Sequence, residues 1–247
     1  MEILIAALCG AMIGSIIGLV GAGGSMIAVP MLIYIFDFTP VQATTASLLI
    51  VFAGATSGLT SKIKSRDVLV RDGLVIWFIG LGTNFAGAYL LPRLSEAFIL
   101  TGFSLVLISA GVSMLLKQVP QRPERRMSVI ALVALSLLIG AMTGLFGIGG
   151  GFVAIPVLIL FYNVSPSKAA GTSLFIIMIN TLTGFFAHAR HWGKVPWSLP
   201  ITIAVSALLI SRLAAQQSRR FKTVTLKRWF AGTVFAIAFL TLLETWT

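Results

Sequence analysis

The chain has 247 residues, of which 57% are hydrophobic and only 10% are charged, and its mean hydropathy is +1.01. A soluble domain carries roughly a quarter charged residues, so this composition excludes a soluble globular protein and predicts an all-α integral membrane protein in contact with the lipid bilayer. The net charge of +11 arises from Lys and Arg in the gaps between apolar segments, as in cytoplasmic loops, and no basic stripe alternates with an aromatic platform as in nucleic-acid-binding proteins.

Ten apolar segments follow one another along the chain, separated by short polar gaps. They cover about 3–20, 24–36, 41–60, 73–92, 97–116, 128–146, 150–162, 168–186, 195–211 and 228–246. Most of them approach the roughly 20 residues that cross a hydrocarbon core. Segments 24–36 and 150–162 have 13 residues each and reach only about 20 Å as helices. We therefore expect both to be short broken or re-entrant helices that pair with the preceding helix through a bend.

The chain contains an internal duplication with a period of 126 residues, centred on the glycine-rich stretches 18–30 and 144–156. The shift lays Gly18 on Gly144 and Gly58 on Gly184, with 15 identities over the 41 positions of 18–58. Two transmembrane repeats of five segments follow, 1–126 and 127–247. Because five is an odd number, the second repeat is predicted to be inverted in the membrane relative to the first, as in many secondary transporters.

The paired glycine-rich signatures also carry a family resemblance. Each is followed by an apolar run, a proline and an Ala/Thr/Ser segment, at 43–47 and at 169–173. This pattern resembles the TauE/SafE family of bacterial membrane permeases, over nearly the whole chain. The resemblance implies a transporter of the bacterial inner membrane that exports sulfite or a small organosulfonate. An anion uptake permease, a channel for sulfur compounds and a non-transporting membrane assembly subunit are the alternatives.

The positions of the basic residues predict the orientation. If the segments alternate sides, 15 of the 18 Lys and Arg lie in the gaps 62–71, 117–126 and 212–228 or at Lys168, and these face the cytoplasm. Arg93, Arg190 and Lys194 then face outward, as do both termini. A parallel duplication would place the third basic gap opposite the first.

The glycine-rich stretches are predicted to bind the small anionic substrate through their backbone. Where a helix restarts after a bend, its first amides have no intrahelical acceptor, and together with the helix dipole they attract an anion. The residues assigned to this role are Gly21, Gly23, Gly24, Ser25, Gly147, Gly149, Gly150 and Gly151. We expect the helix N-termini at Ser25 and Gly151 to converge on a shared site near the membrane midplane. Close helix packing is the alternative role of such glycines, and we favour it for Gly10, Gly14 and Gly18.

Hydroxyl and amide side chains are the remaining candidates for the site: Thr44, Thr45, Ser47, Asn84, Thr172, Ser173 and Asn180. The hydroxyls follow a proline at the start of a helix, where they could either cap that helix or contact the anion. The two asparagines lie mid-span, where an amide needs a partner, so interhelical bonding and substrate contact are both open.

The sequence predicts no catalytic residue, no metal site and no cofactor, and hence no enzyme. All seven acids lie at segment ends or in gaps, so the carboxylate relay of a cation pump is missing. Cys9 is the only cysteine, which excludes an internal disulfide. His188 and His191 fall in a short outer gap and are expected to be solvated, with coupling to protons as the alternative. The oligomeric state stays open, and a homo-oligomer is compatible with the sequence.

Overall fold

The computed structural model describes residues 1–21, 24–115, 128–151, 153–155, 158, 164–217 and 223–246. Within these ranges the regular structure is helical, and nine α-helices are found. They are α1 (Glu2–Val20), α2 (Gly24–Phe36), α3 (Pro40–Lys64), α4 (Val70–Leu90), α5 (Glu96–Leu115), α6 (Val129–Phe146), α7 (Pro166–Ala187), α8 (Ser198–Gln217) and α9 (Thr223–Trp246). Gly151, Val153–Ile155 and Leu158 also have helical backbone.

Six of these helices are long and apolar enough to cross a membrane: α1, α3, α4, α6, α7 and α8. The all-α membrane fold expected from the composition is thus confirmed. The short segment predicted at 24–36 coincides with α2. Its predicted twin, 150–162, is helical at the residues described there, and its other residues lie outside the described ranges.

The start of α3 is fixed by a capping box that the sequence analysis did not assign. The Thr39 hydroxyl accepts a hydrogen bond from the Gln42 amide, and the Gln42 side chain accepts one from the Thr39 amide. Ser165 caps α7 in the same way, by accepting from the Lys168 amide. The capping role considered for the later hydroxyls is therefore wrong, because residues before each proline already fill it.

Close contacts between small residues hold α1 against α8 and α6 against α4. A Cβ on Gly14 would lie only 2.8 Å from the Ala207 Cα, and one on Gly87 only 3.0 Å from the Gly144 carbonyl carbon. Each of these pairs joins a helix from the first half of the chain to one from the second half. Glycine permits this approach because it has no side chain, and dispersion contacts of the closely spaced backbones stabilise the pair within a bilayer. The packing role favoured for Gly10, Gly14 and Gly18 agrees with their contacts to α8.

The order of these contacts gives the helix directions. Gly10, Gly14 and Gly18 meet successively later residues of α8, so α1 and α8 run parallel. Gly54 and Gly58 of α3 meet Ala207 and Ser211, so α3 is parallel to α8 too.

The third helices of the two repeats cross the interior side by side in opposite directions. Gly184 of α7 meets Leu48 of α3, Leu174 meets Gly58, and Ser167 meets Lys62. Helices α5 and α9 are antiparallel too, because Trp246 at the end of α9 donates to Thr101 near the start of α5, and Gly111 meets Phe235. Equivalent helices of the two halves therefore run antiparallel in both cases.

The short helix α2 belongs to a segment that crosses the full bundle. Because α1 and α3 both run parallel to α8, residues 21–39 must return from one end of the bundle to the other. The 13 residues of α2 provide about 20 Å of that path, and residues outside α2 provide the rest. The segment therefore crosses the bundle and does not return to the face from which it starts.

Candidate functional site

The second glycine bend is held in a left-handed backbone conformation. Gly147 ends α6 with φ 66°, and its amide donates to the Thr143 carbonyl at 2.9 Å. Gly149 and Gly150 follow with φ 72° and 67°. Such dihedrals cost a residue with a Cβ about 1–2 kcal/mol, so glycine is strongly favoured at these three positions.

Two buried serines hold the carbonyls of this bend. The Ser47 hydroxyl lies 3.2 Å from the Gly147 carbonyl and 2.8 Å from the Thr44 carbonyl. The Ser173 hydroxyl donates to the Gly151 carbonyl at 2.8 Å. Since the carbonyl and amide of a trans peptide point in opposite directions, the Ile148 amide faces away from Ser47. Ser47 and Ser173 therefore support the bend from two different helices, α3 and α7.

The first bend begins in the same way. Gly21 ends α1 with φ 80°, and its amide donates to the Ile17 carbonyl at 2.9 Å. A Cβ on Gly21 would lie 2.6 Å from the Ala170 Cβ, and one on Gly24 would lie 2.5 Å from the Ile13 carbonyl. The predicted site residue Gly23 and the side chain of Ser25 lie outside what the structure describes.

The structure does not bring Gly21 and Gly147 together. Gly21 lies against Ala170 near the start of α7, whereas Gly147 lies against Thr44 at the start of antiparallel α3. From Ala170 to the far end of α7 is about 25 Å at 1.5 Å per residue. The reason is that α1 and α6 each extend past the middle before they end, so the two bends begin inside the bundle but nearer to opposite ends of it. Gly149 lies at mid-height, where a Cβ would come within 3.0 Å of the Ile177 side chain.

The asparagines join helices. Asn84 of α4 is fully buried and donates to the Asn180 carbonyl at 3.1 Å and to Thr183 at 3.3 Å, both on α7. Asn180 donates within its own helix to the Ile176 carbonyl. The side-chain carbonyls of both residues have no hydrogen-bond partner. Interhelical bonding is thus shown for Asn84, and two buried acceptors remain open beside it.

The threonine hydroxyls differ in their partners. Thr172 accepts a hydrogen bond from the Leu69 amide at 2.9 Å, which ties α7 to the chain before α4. Thr45 lies 2.7 Å from the Val41 carbonyl. Thr44 is 1% exposed, and its carbonyl and methyl lie against Gly147, whereas its hydroxyl has no partner among the described residues. A buried hydroxyl without a partner costs free energy, so the Thr44 hydroxyl is a buried donor that a ligand would satisfy.

His188 is a component of this region that the sequence analysis placed in solvent. Its imidazole is fully buried, with Nε2 2.9 Å from the Gly144 carbonyl and Nδ1 3.1 Å from the Thr45 hydroxyl. Burial lowers its pKa to about 4, against the opposing effect of the Gly144 carbonyl. The duplication offered a signal, because position 188 corresponds to Lys62, and Lys62 is buried as well.

The contacts of His188 allow two protonation states. Nε2 must carry a proton because it faces a carbonyl. In the neutral ring Nδ1 accepts from Thr45, and in the imidazolium Nδ1 donates to Thr45 while the Thr45 hydroxyl turns to the Val41 carbonyl, 2.7 Å away. Rotation of the Thr45 hydroxyl is thus sufficient for both ring nitrogens of His188 to keep a hydrogen bond in either protonation state.

An open pocket of about 470 Å³ lies next to His188, between the ends of α4 and α7. Its walls combine aromatic and aliphatic surface with basic groups. The lining residues are Phe85, Ala88, Tyr89, Pro92, Arg93, Ala187, Arg190 and His191.

No carboxylate is buried among the acids that the structure describes. Glu2, Asp37, Glu96 and Glu244 are exposed, and Asp67 and Asp72 are half-buried near the ends of α3 and α4. The buried polar side chains of the described interior are hydroxyls, amides, Lys62 and His188. Such an interior offers no carboxylate counter-charge to a cation among the described residues.

Comparison with known proteins agrees with this architecture. The family model described as sulfite exporter TauE/SafE matches residues 6–241. The probable membrane transporter protein YunE of Bacillus subtilis (strain 168) is 28% identical over 254 residues, which cover 92% of each chain. A probable membrane transporter protein of Xylella fastidiosa (strain 9a5c) is 28% identical and covers 96% of this chain and 94% of its own length. The corresponding protein of Haemophilus influenzae is 26% identical, with 96% of both chains covered. The chain therefore belongs to the sulfite exporter TauE/SafE family and is a multi-pass membrane transporter.

Proposed function

We propose that this transporter exports a small anion, sulfite or an organosulfonate, along a path between α3, α7 and the two glycine bends. The observation that carries the proposal is the second bend. Three left-handed glycines, Gly147, Gly149 and Gly150, follow α6 and are buried within the bundle. Irregular backbone at membrane depth is stable only where it is buried in protein or lines a polar path.

The chemistry around the bend supports an anion as the cargo. Ser47 and Ser173 bind carbonyls of the bend, which directs the amide of the Gly147–Ile148 peptide away from Ser47. The Thr44 hydroxyl supplies a buried side-chain donor on a residue that contacts Gly147. The family resemblance narrows the anion to sulfite or an organosulfonate.

We also propose that the two halves are inverted repeats related by a two-fold axis in the membrane plane. The antiparallel course of α3 against α7 and of α5 against α9 supports this, because a parallel duplication would align equivalent helices. The positions of the basic residues also support this inverted arrangement. Lys62, Lys64 and Arg66 lie where α3 ends, Lys168 where α7 begins, and Arg212 near the end of α8, all at one end of the bundle. We call it the basic end and place it in the cytoplasm of a cell whose inner membrane holds the protein.

Flux through proteoliposomes tests the function, with Thr44→Val as the informative variant. Purified protein is reconstituted and assayed for transport of sulfite, methanesulfonate, sulfate and chloride, with and without a pH gradient. Wild type should transport sulfite or methanesulfonate. Loss of one hydrogen bond to an anion, about 1.5–3 kcal/mol, should raise the KM of Thr44→Val about tenfold or more.

The matched control is Thr56→Val on the same helix, because the Thr56 hydroxyl already bonds the Phe52 carbonyl of α3 at 2.7 Å. This variant should retain the wild-type KM. An equal KM for all three proteins would exclude Thr44 from the site. Absence of anion flux in folded wild-type protein, whatever the gradient, would refute anion transport itself.

A further inference from the structure

The pocket beside His188, which we call the outer pocket, carries an unusual local charge. Arg93, Arg190 and His191 line it, and none of its lining residues is acidic. Both arginines are exposed at the pocket. Its volume of about 470 Å³ is in the range of sites that hold a small organic molecule. The pocket therefore combines a suitable size with a positive potential.

The position of Arg93 is set by its neighbour Tyr89. The Arg93 guanidinium donates to the Tyr89 hydroxyl and lies over the ring, 4.3 Å from its centroid. A cation held over an aromatic face loses less conformational freedom when it binds a ligand than a free side chain does. Tyr89 and Phe85 also give the pocket apolar walls. The arrangement suits a ligand with an anionic head and an apolar body.

Among the residues that the structure describes, few basic ones lie at this end of the bundle. Of the 18 Lys and Arg in the sequence, Arg93, Arg190 and Lys194 belong to the turns that follow α4 and α7, opposite the basic end. A positive-inside distribution predicts that outer turns hold few basic residues. Arg93 and Arg190 both line the outer pocket, which indicates that their positive charge has a role there.

The outer pocket adjoins the candidate site. The His191 ring on its wall lies 6.1 Å, centroid to centroid, from the ring of buried His188. His188 in turn contacts the Gly144 carbonyl in α6, one turn before the Gly147 bend, and Thr45, next to Thr44. His191 and His188 therefore connect the outer pocket to Gly144 and Thr45, which adjoin the second bend.

We propose that the outer pocket is an anion-binding vestibule, which holds the oxoanion head of a small organic anion between Arg93 and Arg190 and its apolar body against Phe85 and Tyr89. This inference rests on the proposed anion transport for its biological role, but binding at the pocket is a separate property. A phospholipid phosphate has the same chemistry as a free sulfonate, so the experiment includes an arm for each source.

Binding of benzenesulfonate to the purified full-length protein tests the vestibule. Isothermal titration in neutral detergent at constant pH compares wild type with the double variant Arg93→Gln/Arg190→Gln. Because two charge-assisted contacts are lost, the double variant should bind about tenfold or more weakly. The control is Lys194→Gln, which removes a charge from the same end but not from the pocket, and it should match wild type. Equal affinity in all three proteins would overturn the vestibule.

The lipid arm repeats the titration in phosphatidylcholine nanodiscs with increasing phosphatidylglycerol. An affinity that does not depend on phosphatidylglycerol supports a soluble anion as the ligand. Competition by phosphatidylglycerol in wild type that disappears in the double variant would assign the pocket to a lipid headgroup and overturn the soluble ligand. The wild-type protein and the double variant are also assayed for anion flux. If wild type transports an anion but the double variant binds benzenesulfonate as tightly as wild type, only the vestibule proposal is refuted. If wild type binds benzenesulfonate but transports no anion, only the transport proposal is refuted.

Discussion

Replacement of Gly147 by alanine tests whether the left-handed bend is required. At φ 66° an alanine is strained by about 1–2 kcal/mol. Its Cβ would also lie 2.6 Å from the Thr44 carbonyl and against the Ser47 hydroxyl. Overpacking of this kind adds typically about 1–3 kcal/mol, so Gly147→Ala should destabilise the bend by about 2–5 kcal/mol. Because Ser47 and Thr44 must move, the anion path should be disturbed as well.

The control for this variant is Gly82→Ala in α4, where an added Cβ meets nothing within 4 Å. Alanine is a better helix former than glycine by about 1 kcal/mol, so this protein should be at least as stable as wild type. Both variants are expressed, checked for monodispersity in detergent, melted by a thiol-independent thermal assay and measured for sulfite flux. Gly147→Ala with the stability and flux of Gly82→Ala would show that the bend does not need its left-handed geometry.

Three further predictions concern Ser173, His188 and the orientation of the protein in the membrane. Ser173→Ala removes the bond to the Gly151 carbonyl and should lower thermal stability by about 1–3 kcal/mol, while a melting curve identical to wild type would remove Ser173 from the support of the bend. His188 is neutral in the folded protein at pH 7, since its pKa lies at about 4 and that of the unfolded chain at about 6.5. Stability should therefore fall by about 3 kcal/mol as the pH drops from 6.5 to 4, and His188→Gln should lose this slope in melts across that range, whereas a slope equal to wild type would contradict the argument. In a Cys9→Ala background, an impermeant maleimide added outside intact cells should label Gly193→Cys and not Lys64→Cys, and the reverse pattern would refute the proposed orientation.

The helical segments could be predicted from the sequence because their cause is local. Twenty apolar residues between polar gaps must form a helix in a bilayer, where each backbone group needs an internal partner. The boundaries were less certain, because helix ends depend on caps. Thr39 and Ser165 lie one residue before a proline, and their side chains, not the later hydroxyls, accept the first free amides.

The geometry of the site depended on helix lengths that composition does not give. The glycines of both bends were recognised from their density, and Gly21, Gly147, Gly149 and Gly150 do adopt left-handed backbone. Their separation was not predictable, because it follows from how far α1 and α6 extend along α8 and α4 before they turn. The interior position of His188 was missed for a similar reason, since a polar residue after a helix is buried only when a neighbouring helix covers it, here through Gly144 and Thr45.

The exchange of partners between the two halves has a consequence for biogenesis. The glycine face of α1 fits α8, and that of α6 fits α4, so the nascent first half leaves the ribosome with an uncovered groove that only a segment near the end of translation can fill. Quality-control proteases should therefore degrade a chain that stops after α5, and separate expression of both halves in one cell should rescue each of them.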